Sequence, residues 1–255
     1  MKTDAHVHIG FYARAGKDDP FYYSPRRVLG VINRCGVCEF IVSSTCAQIE
    51  EIGIEEIIRE AREMKRIAGW RAHEFFWLSR HLYDEDPDML WLQTGLFDGI
   101  KLHEGETPWL TKRISDLHAI LAFAARHDLP VMLHSGPNDG MRPKELATIA
   151  KSHPSVRFNF AHCRPMEEMA DVIAECPNVW TDTAYMETYE YAHLSEFNWH
   201  GRLMFGTDLP VWQVHEVVCL TKRYREQQNA FMSTGLECKA TFAFRNFISG
   251  NSTMH

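Results

Sequence analysis

Nowhere do the 255 residues hold an apolar run approaching the length that crosses a bilayer. The opening residues also lack the charged-then-apolar pattern of a secretion signal. Excess positive charge is missing too: 27 Lys and Arg stand against 34 Asp and Glu, for a net charge of −7. That balance speaks against a protein built to grip a phosphate backbone. The seven cysteines (Cys35, Cys38, Cys46, Cys163, Cys176, Cys219, Cys238) are odd in number and scattered, unlike a disulfide framework. Cys35 and Cys38 have CxxC spacing without a second pair, so they read as small apolar residues and not as a zinc or redox motif. No linker or break in composition divides the chain. The expectation is one soluble, cytoplasmic domain spanning residues 1–255, acting on a small molecule, with no nucleic-acid or membrane partner. Homo-oligomerisation is left open.

What is present is a rhythm. Apolar residues make up 45% of the chain, enough for one large core. Short apolar runs alternate with stretches of helical periodicity. The strands are expected at Thr3–Ile9, Phe40–Val42, Phe75–Leu78, Asp98–His103, Pro130–His134, Val156–His162, Val179–Asp182 and Arg202–Asp208. Between them, Ser24–Pro25 starts a helix with proline at its first position. Helical spacing follows over Ile49–Ile67, Pro87–Leu92, Ile114–Arg126, Pro143–Ala150, Met166–Glu175, Val214–Arg225 and Leu236–Ile248. Eight strand-helix alternations in this length predict a (β/α)8 TIM barrel of the α/β class.

Such a barrel keeps its active site at the C-terminal ends of the strands. Strand one ends in Asp4-Ala5-His6-Val7-His8, and side chains two apart on a strand share a face. His6 and His8 are therefore expected to look the same way, with Asp4 beneath them and Ala5, Val7 and Ile9 on the packed side. Later strands end in Lys101 and His103, His134, His162, Asp182 and Asp208. Five of the 14 histidines thus fall at strand ends, whereas His118, His127, His153, His193 and His215 fall in expected helices and loops. Imidazoles and a carboxylate converging on one rim suit a divalent ion that keeps a position for water. Zinc can lower the pKa of that water from 15.7 to about 7, worth about 12 kcal/mol of selective stabilisation of the anion. Asp208 suits both holding the ion and accepting the proton, and a nearby imidazole can polarise the bond under attack.

These residues resemble the amidohydrolase superfamily, in particular its amidohydrolase 2 branch of metal-dependent hydrolases and decarboxylases. The resemblance runs nearly end to end. It covers Asp4-Ala5-His6-Val7-His8, Gly99-Ile100-Lys101-Leu102-His103, Met132-Leu133-His134, Phe160-Ala161-His162, Phe205-Gly206-Thr207-Asp208-Leu209-Pro210 and Ile248-Ser249-Gly250-Asn251. It implies that His6, His8, His134 and Asp208 bind one divalent metal, zinc foremost, with manganese or a second ion as options. It also implies Asp208 and His162 as the catalytic pair. Lys101 either contacts substrate or, as in two-metal relatives, is carboxylated and bridges metals.

Lys101, His103, Arg164 and Trp212 are assigned to substrate binding, with Arg14 and Arg142 as further carboxylate clamps to consider. Asp182 is a candidate acceptor for a ligand imidazole. Phe21, Tyr22, Tyr23 and Trp109 are candidate rim aromatics that packing explains as readily. The expected reaction is attack of metal-bound hydroxide on a small ester, lactone or amide bearing a carboxylate. The alternative is non-oxidative decarboxylation of an unsaturated or aromatic carboxylate by the same metal set. A nuclease of the TatD type would want an acidic ligand where this chain has Lys101-Leu102-His103.

Overall fold

The computed structural model describes residues 2–11, 21–103, 105, 108–138, 140–212 and 219–250. Its strands are β1 (Lys2–Phe11), β2 (Tyr22–Tyr23), β3 (Val37–Ser44), β4 (Ala72–Trp77), β5 (Gly99–Leu102), β6 (Val131–His134), β7 (Phe158–Ala161), β8 (Val179–Asp182) and β9 (Leu203–Met204). Eight of them pair in parallel in chain order, β1-β3-β4-β5-β6-β7-β8-β9, while β2 runs antiparallel along the end of β1. Three backbone bonds then bring the chain after β9 back onto β1. Ala5 N–H donates to Phe205 O (2.8 Å), Asp208 N–H to His6 O (2.8 Å) and His8 N–H to Leu209 O (2.6 Å). The sheet is therefore a ring, the barrel that the strand-helix rhythm predicts.

Helices clothe the ring because their apolar stripes have a sheet to face. Pro25–Arg34 starts where expected, with Ser24 Oγ accepting from Arg27 N–H and proline at the first turn. Ile54–Ala68 buries Ile57, Ala61 and Met64 against the strands, with Glu60 buried beside them to accept from Ser44 Oγ (2.6 Å) and Tyr22 Oη (3.1 Å). Val7, Ile9, Phe40, Val42, Phe76, Ile100, Val131, Phe158 and Val179 form the layer between strands and helices. A second, smaller cluster lies inside the ring. It holds Ala5, Ile41, Phe75, Met132, Ala161, Trp180 and Met204, together with Ala243, Phe244 and Phe247 of the helix Glu237–Ser249. That helix packs against β9 and β1 and stoppers one end of the barrel with aromatic side chains. Gly99 belongs to the same floor, since a Cβ there would stand 2.5 Å from Phe75 Cζ.

Moving two residues along each strand passes from this oily floor to the other mouth. Ile41 leads to Ser43, Phe75 to Trp77, Gly99 to Lys101, Met132 to His134 and Trp180 to Asp182. The strand alternation that buries the floor thereby aims polar side chains at one rim.

Several local expectations need correcting. The register of β1 slips between Asp4 and Val7, a bulge that breaks the period of two. Ala5 joins the interior cluster while Val7 and Ile9 remain outside, and Asp4 turns outward to accept from Thr207 Oγ1 (2.7 Å) and Tyr224 Oη (2.8 Å). Asp4 is therefore not beneath His6 and His8. Burial pushes its carboxyl up to about 6, against the pull of those hydrogen bonds.

Strand eight shortens to Leu203–Met204, because the segment through Gly206 and Asp208 curls inward, with Asp208 in the left-handed region at φ 60°. Pro87–Leu92 is not an α-helix; a 3-10 turn forms at Leu90–Thr94, after an unanticipated helix at Arg80–Glu85. Residues 214–218 of the expected Val214–Arg225 helix lie outside the described residues, and the helix runs Leu220–Ser233. Of the cysteines, Cys35 is buried and Cys38 half-buried, while Cys219 and Cys238 are exposed; all are free thiols.

Candidate active site

His6 and His8 stand on one side of β1 after the bulge, and their Nε2 atoms are 3.1 Å apart. Asp208 Oδ1 lies 3.0 Å from His8 Nε2 and 3.6 Å from His6 Nε2. Ligands 2.0–2.1 Å from a tetrahedral zinc stand about 3.3 Å from one another, so three atoms at these spacings already have the geometry of a coordinated set. The donors are chemically right as well: two imidazoles and a carboxylate, all buried. A second group within ligand spacing, His6, His162 and Asp182, is spoken for by hydrogen bonds. Asp182 faces His6 Nδ1 (3.3 Å) and accepts from Asn159 Nδ2 (2.6 Å) and the N–H groups of Ala184 (2.9 Å) and His162 (3.2 Å).

Those outer bonds set which nitrogens are free. The Asp182 carboxylate can only accept, so His6 carries its proton on Nδ1 and offers the lone pair of Nε2. His8 Nδ1 is 3.3 Å from Ser43 O, which orients its Nε2 the same way. Gly206 lets the pair meet, since a Cβ there would stand 3.1 Å from His6 Cβ and 3.2 Å from Asp182 Cβ. Burial would raise Asp208, yet the neighbouring His6 and His8 outweigh it and hold the carboxyl well below its usual range. Asp182 is likewise held down to about 2 against its burial, by His6, His162 and Asn159. Burial, then the Lys101 charge, lowers His8 to about 3, and the imidazole stays neutral as a ligand must be.

Lys101 lines the chamber and also stands beside the candidate ligands. Its Nζ is 2.7 Å from His6 Nε2 and 3.1 Å from His8 Nε2, and it lies 4.3 Å above the Trp77 ring. An ion held by both lone pairs would take those acceptors from the ammonium, and the flexible stem of Lys101 would let it turn into the chamber that it lines.

His134 does not come into ligand spacing with His6, His8 and Asp208; instead its Nδ1 meets His162 Nε2 at 3.0 Å. His162 Nδ1 faces Ala184 O at 3.1 Å and so carries the proton, which leaves Nε2 to accept from His134. His162 sits at φ 77° in the left-handed region, a conformation that costs a β-carbon residue of order 1 kcal/mol and is held by its surroundings. Burial lowers His162 to about 3 and His134 well below its ordinary value.

A chamber of about 260 Å³ opens over this centre, walled by Lys101, His103, His134, His162, Arg164 and Asp208, with Trp77, Tyr185 and Gln48. His103 stacks on His134 with ring centroids 3.9 Å apart, and its buried Nδ1 has no hydrogen-bond partner among the described residues. Arg164 Nε is likewise buried without a partner among the described residues. Trp212 stands behind the wall: it is buried, its Nε1 donates to Thr207 O (3.0 Å), and its ring stacks against Tyr185 at 4.2 Å. Arg142 is engaged by Glu168, Trp109 is buried beside Tyr83, and Tyr22 donates to Glu60. Arg14 and His215 lie outside the described residues.

Sequence reasoning passed over Trp77, Tyr185 and Asn159. Trp77 carried a usable signal, being two residues past Phe75 on an expected strand. Tyr185 carried none, because it reaches the chamber from a turn in which its own φ is 57°.

Comparison with known proteins agrees with this architecture. The sequence model of the family described as amidohydrolase matches residues 4–218. No curated protein sequence matches the chain. Among solved structures, a probable 2-pyrone-4,6-dicarboxylic acid hydrolase from Acinetobacter baumannii, with citric acid bound, superposes with TM-score 0.64 at 12% identity. The match covers 98% of this chain and 99% of that one. The 5-carboxyvanillate decarboxylase of Sphingomonas paucimobilis gives 0.57 at 12% identity over 96% and 98%. A TatD-like protein from Archaeoglobus fulgidus gives 0.60 at 16% over 95% and 99%. At these identities the structural likeness speaks to the fold alone.

Proposed function

The chain belongs to the amidohydrolase family, and from that premise we propose that it hydrolyses a small ester, lactone or amide bearing a carboxylate. The observation that carries this reading is the trio of ligand atoms, His6 Nε2, His8 Nε2 and Asp208 Oδ1, spaced 3.0–3.6 Å apart at the chamber floor. A divalent ion held there, zinc foremost, supplies Lewis acidity and lowers the pKa of water.

The remaining roles fall to the chain's own groups. Asp208 is the one carboxylate among the described residues of the chamber wall, so its second oxygen is the natural acceptor for the proton of the attacking water. His162 is neutral and buried; its Nδ1–H is held by Ala184 O and its Nε2 accepts from His134 Nδ1, which fixes both rings and leaves His134 Nε2 as an acceptor for a proton of the substrate or water. Lys101 and Arg164 outnumber Asp208 on the same wall, which favours an anionic substrate. The orphaned His103 Nδ1 and Arg164 Nε supply donors for its carboxylate.

The test joins metal content to a substrate panel. Protein loaded with zinc or manganese is offered lactones, amides and unsaturated carboxylates, read separately for acid release and for carbon dioxide. Acid release that disappears in Asp208→Ala, together with one bound ion per chain, is the expected result. Carbon dioxide without acid release would replace hydrolysis by decarboxylation, the reaction of the Sphingomonas protein named above. A chain that binds no metal and turns over nothing would end the enzyme assignment at this site.

A further inference from the structure

A second hollow, about 370 Å³ in volume, lies against the metal-site chamber, and the two share the side chains of His162, Arg164 and Tyr185 as walls. The inner chamber, at about 260 Å³, falls below the roughly 300–1,000 Å³ of ordinary small-molecule sites; the two together fall inside it. The partition is braced from behind. Tyr185 stacks on Trp212 with an interplanar angle of 12°, Arg223 lies 4.0 Å over the other ring of that stack, and Glu187 holds Arg223 at 2.7 Å. On the chamber side Arg164 lies 5.7 Å from the Tyr185 ring centroid.

The outer hollow shares Arg164 and His162 with the inner one but adds carboxylates to its wall. Its wall carries Glu167, Glu190 and Glu196, and its aromatic surface includes Phe197 and a Tyr189 that leaves 72% of its area exposed. Glu190 is used locally, accepting from Glu187 N–H, and Glu196 meets His193 Nδ1 at 2.8 Å. Glu167 points from the first turn of the helix Met166–Glu175.

We propose that the site is bipartite: the inner chamber takes the acidic, reacting end of the substrate, and the outer hollow takes an aromatic or alkyl portion carrying a protonated amine. Arg164 lines both hollows and stands where the two ends join, its guanidinium 5.7 Å from the centre of the Tyr185 ring. Carboxylates and ring faces are the groups that receive an alkylammonium on an aromatic body. The assignment rests on reading the inner chamber as a site for an anion, but the outer hollow is testable by itself.

The probe is phenethylamine, with phenylacetate as its size-matched anionic control, each titrated calorimetrically into the full chain. Phenethylamine is expected to bind, with affinity falling at least fivefold in Tyr189→Ala and in the double variant Glu167→Gln/Glu196→Gln. Phenylacetate affinity is expected to be the same in both variants as in the wild type. Asp208→Ala keeps phenethylamine affinity unchanged, so failure of the metal-site reading and failure of this one are separately visible. No phenethylamine binding, equal affinity in the wild type and both variants, or an equal loss for phenylacetate would each overturn the proposal. Circular dichroism and thermal unfolding of the variants matching wild type exclude a general loss of structure.

Discussion

Replacing Lys101 by Met is expected to strengthen metal binding. The ammonium sits 2.7 Å and 3.1 Å from the two nitrogens that an ion would use. Loading an ion therefore breaks at least one hydrogen bond of a charged group, worth about 1.5–3 kcal/mol. It also places two cations in one buried site. Met removes the competitor, keeps a side chain of similar length over Trp77, and leaves both imidazoles and Asp208 in place. Since about 1.4 kcal/mol is a factor of ten, affinity for zinc or manganese should rise roughly tenfold to a hundredfold. Fold stability should hold or rise, because exchanging a buried charge for an apolar isostere is often neutral or favourable. The assay is competition with a chromophoric chelator on the apo-protein, with intact mass to exclude a carboxylated lysine. Turnover of an anionic substrate should meanwhile suffer in KM, as a cation leaves the wall. A loss of metal on Lys101→Met would refute the reasoning and make Lys101 a ligand-bearing residue.

Three further outcomes follow from the same geometry. Asp182→Ala should lower metal affinity by about ten- to a hundredfold without removing a ligand, since it frees the His6 tautomer; chelator competition reads it, and unchanged affinity would sink the orienting role. Phe247→Ala should cost about 3–5 kcal/mol of stability in urea unfolding and leave metal stoichiometry intact, because that ring stoppers the far end of the barrel. The third outcome concerns pH. His8, His103 and His162 all have folded pKa values lowered to about 3 by burial, so below 6.5 the unfolded chain binds protons that the fold refuses. The contribution of these three histidines to apo-protein stability is thus full above pH 6.5 and declines toward pH 3, by up to about 1.4 kcal/mol per pH unit for each, while Asp4, raised to about 6, works in the opposite sense. His103→Leu should flatten that slope by one such share in urea titrations at pH 5.5 and 4.5, and an unchanged slope would contradict it.

The barrel was legible because its signals are repeated: each strand is an apolar run, each helix a stripe, and His6, His8, Lys101, His103, His134, His162 and Asp182 stand on a strand or directly after one. What escaped was set by tertiary contacts. The bulge in β1 turns Asp4 away to Thr207 and Tyr224, and nothing in a run of alternating residues announces a register slip. The strand before Asp208 shortened because that residue adopts φ 60° on the way to the metal side, where the chain gives up ladder bonds to aim a carboxylate. His103 and His134 are both at strand ends as expected. Yet ring stacking at 3.9 Å and the bond to His162 decide where His134 points, and spacing along the chain carries no such information. Trp212 illustrates the same limit, since an aromatic in a rim segment can face the ligand or, as here, back the residue that does.

The bonds from Ala5 to Phe205 and from His8 to Leu209 have a consequence for how the protein is born. About 200 residues separate the partners, so on a ribosome adding 5–20 residues each second the leading strand waits roughly 10–40 s for its second neighbour. During that wait one flank of a strand bearing two of the proposed metal-site histidines lacks its parallel partner, and pairing with a stranger competes with completion. Slower translation should therefore lengthen the exposure of that strand edge and lower the yield of folded protein.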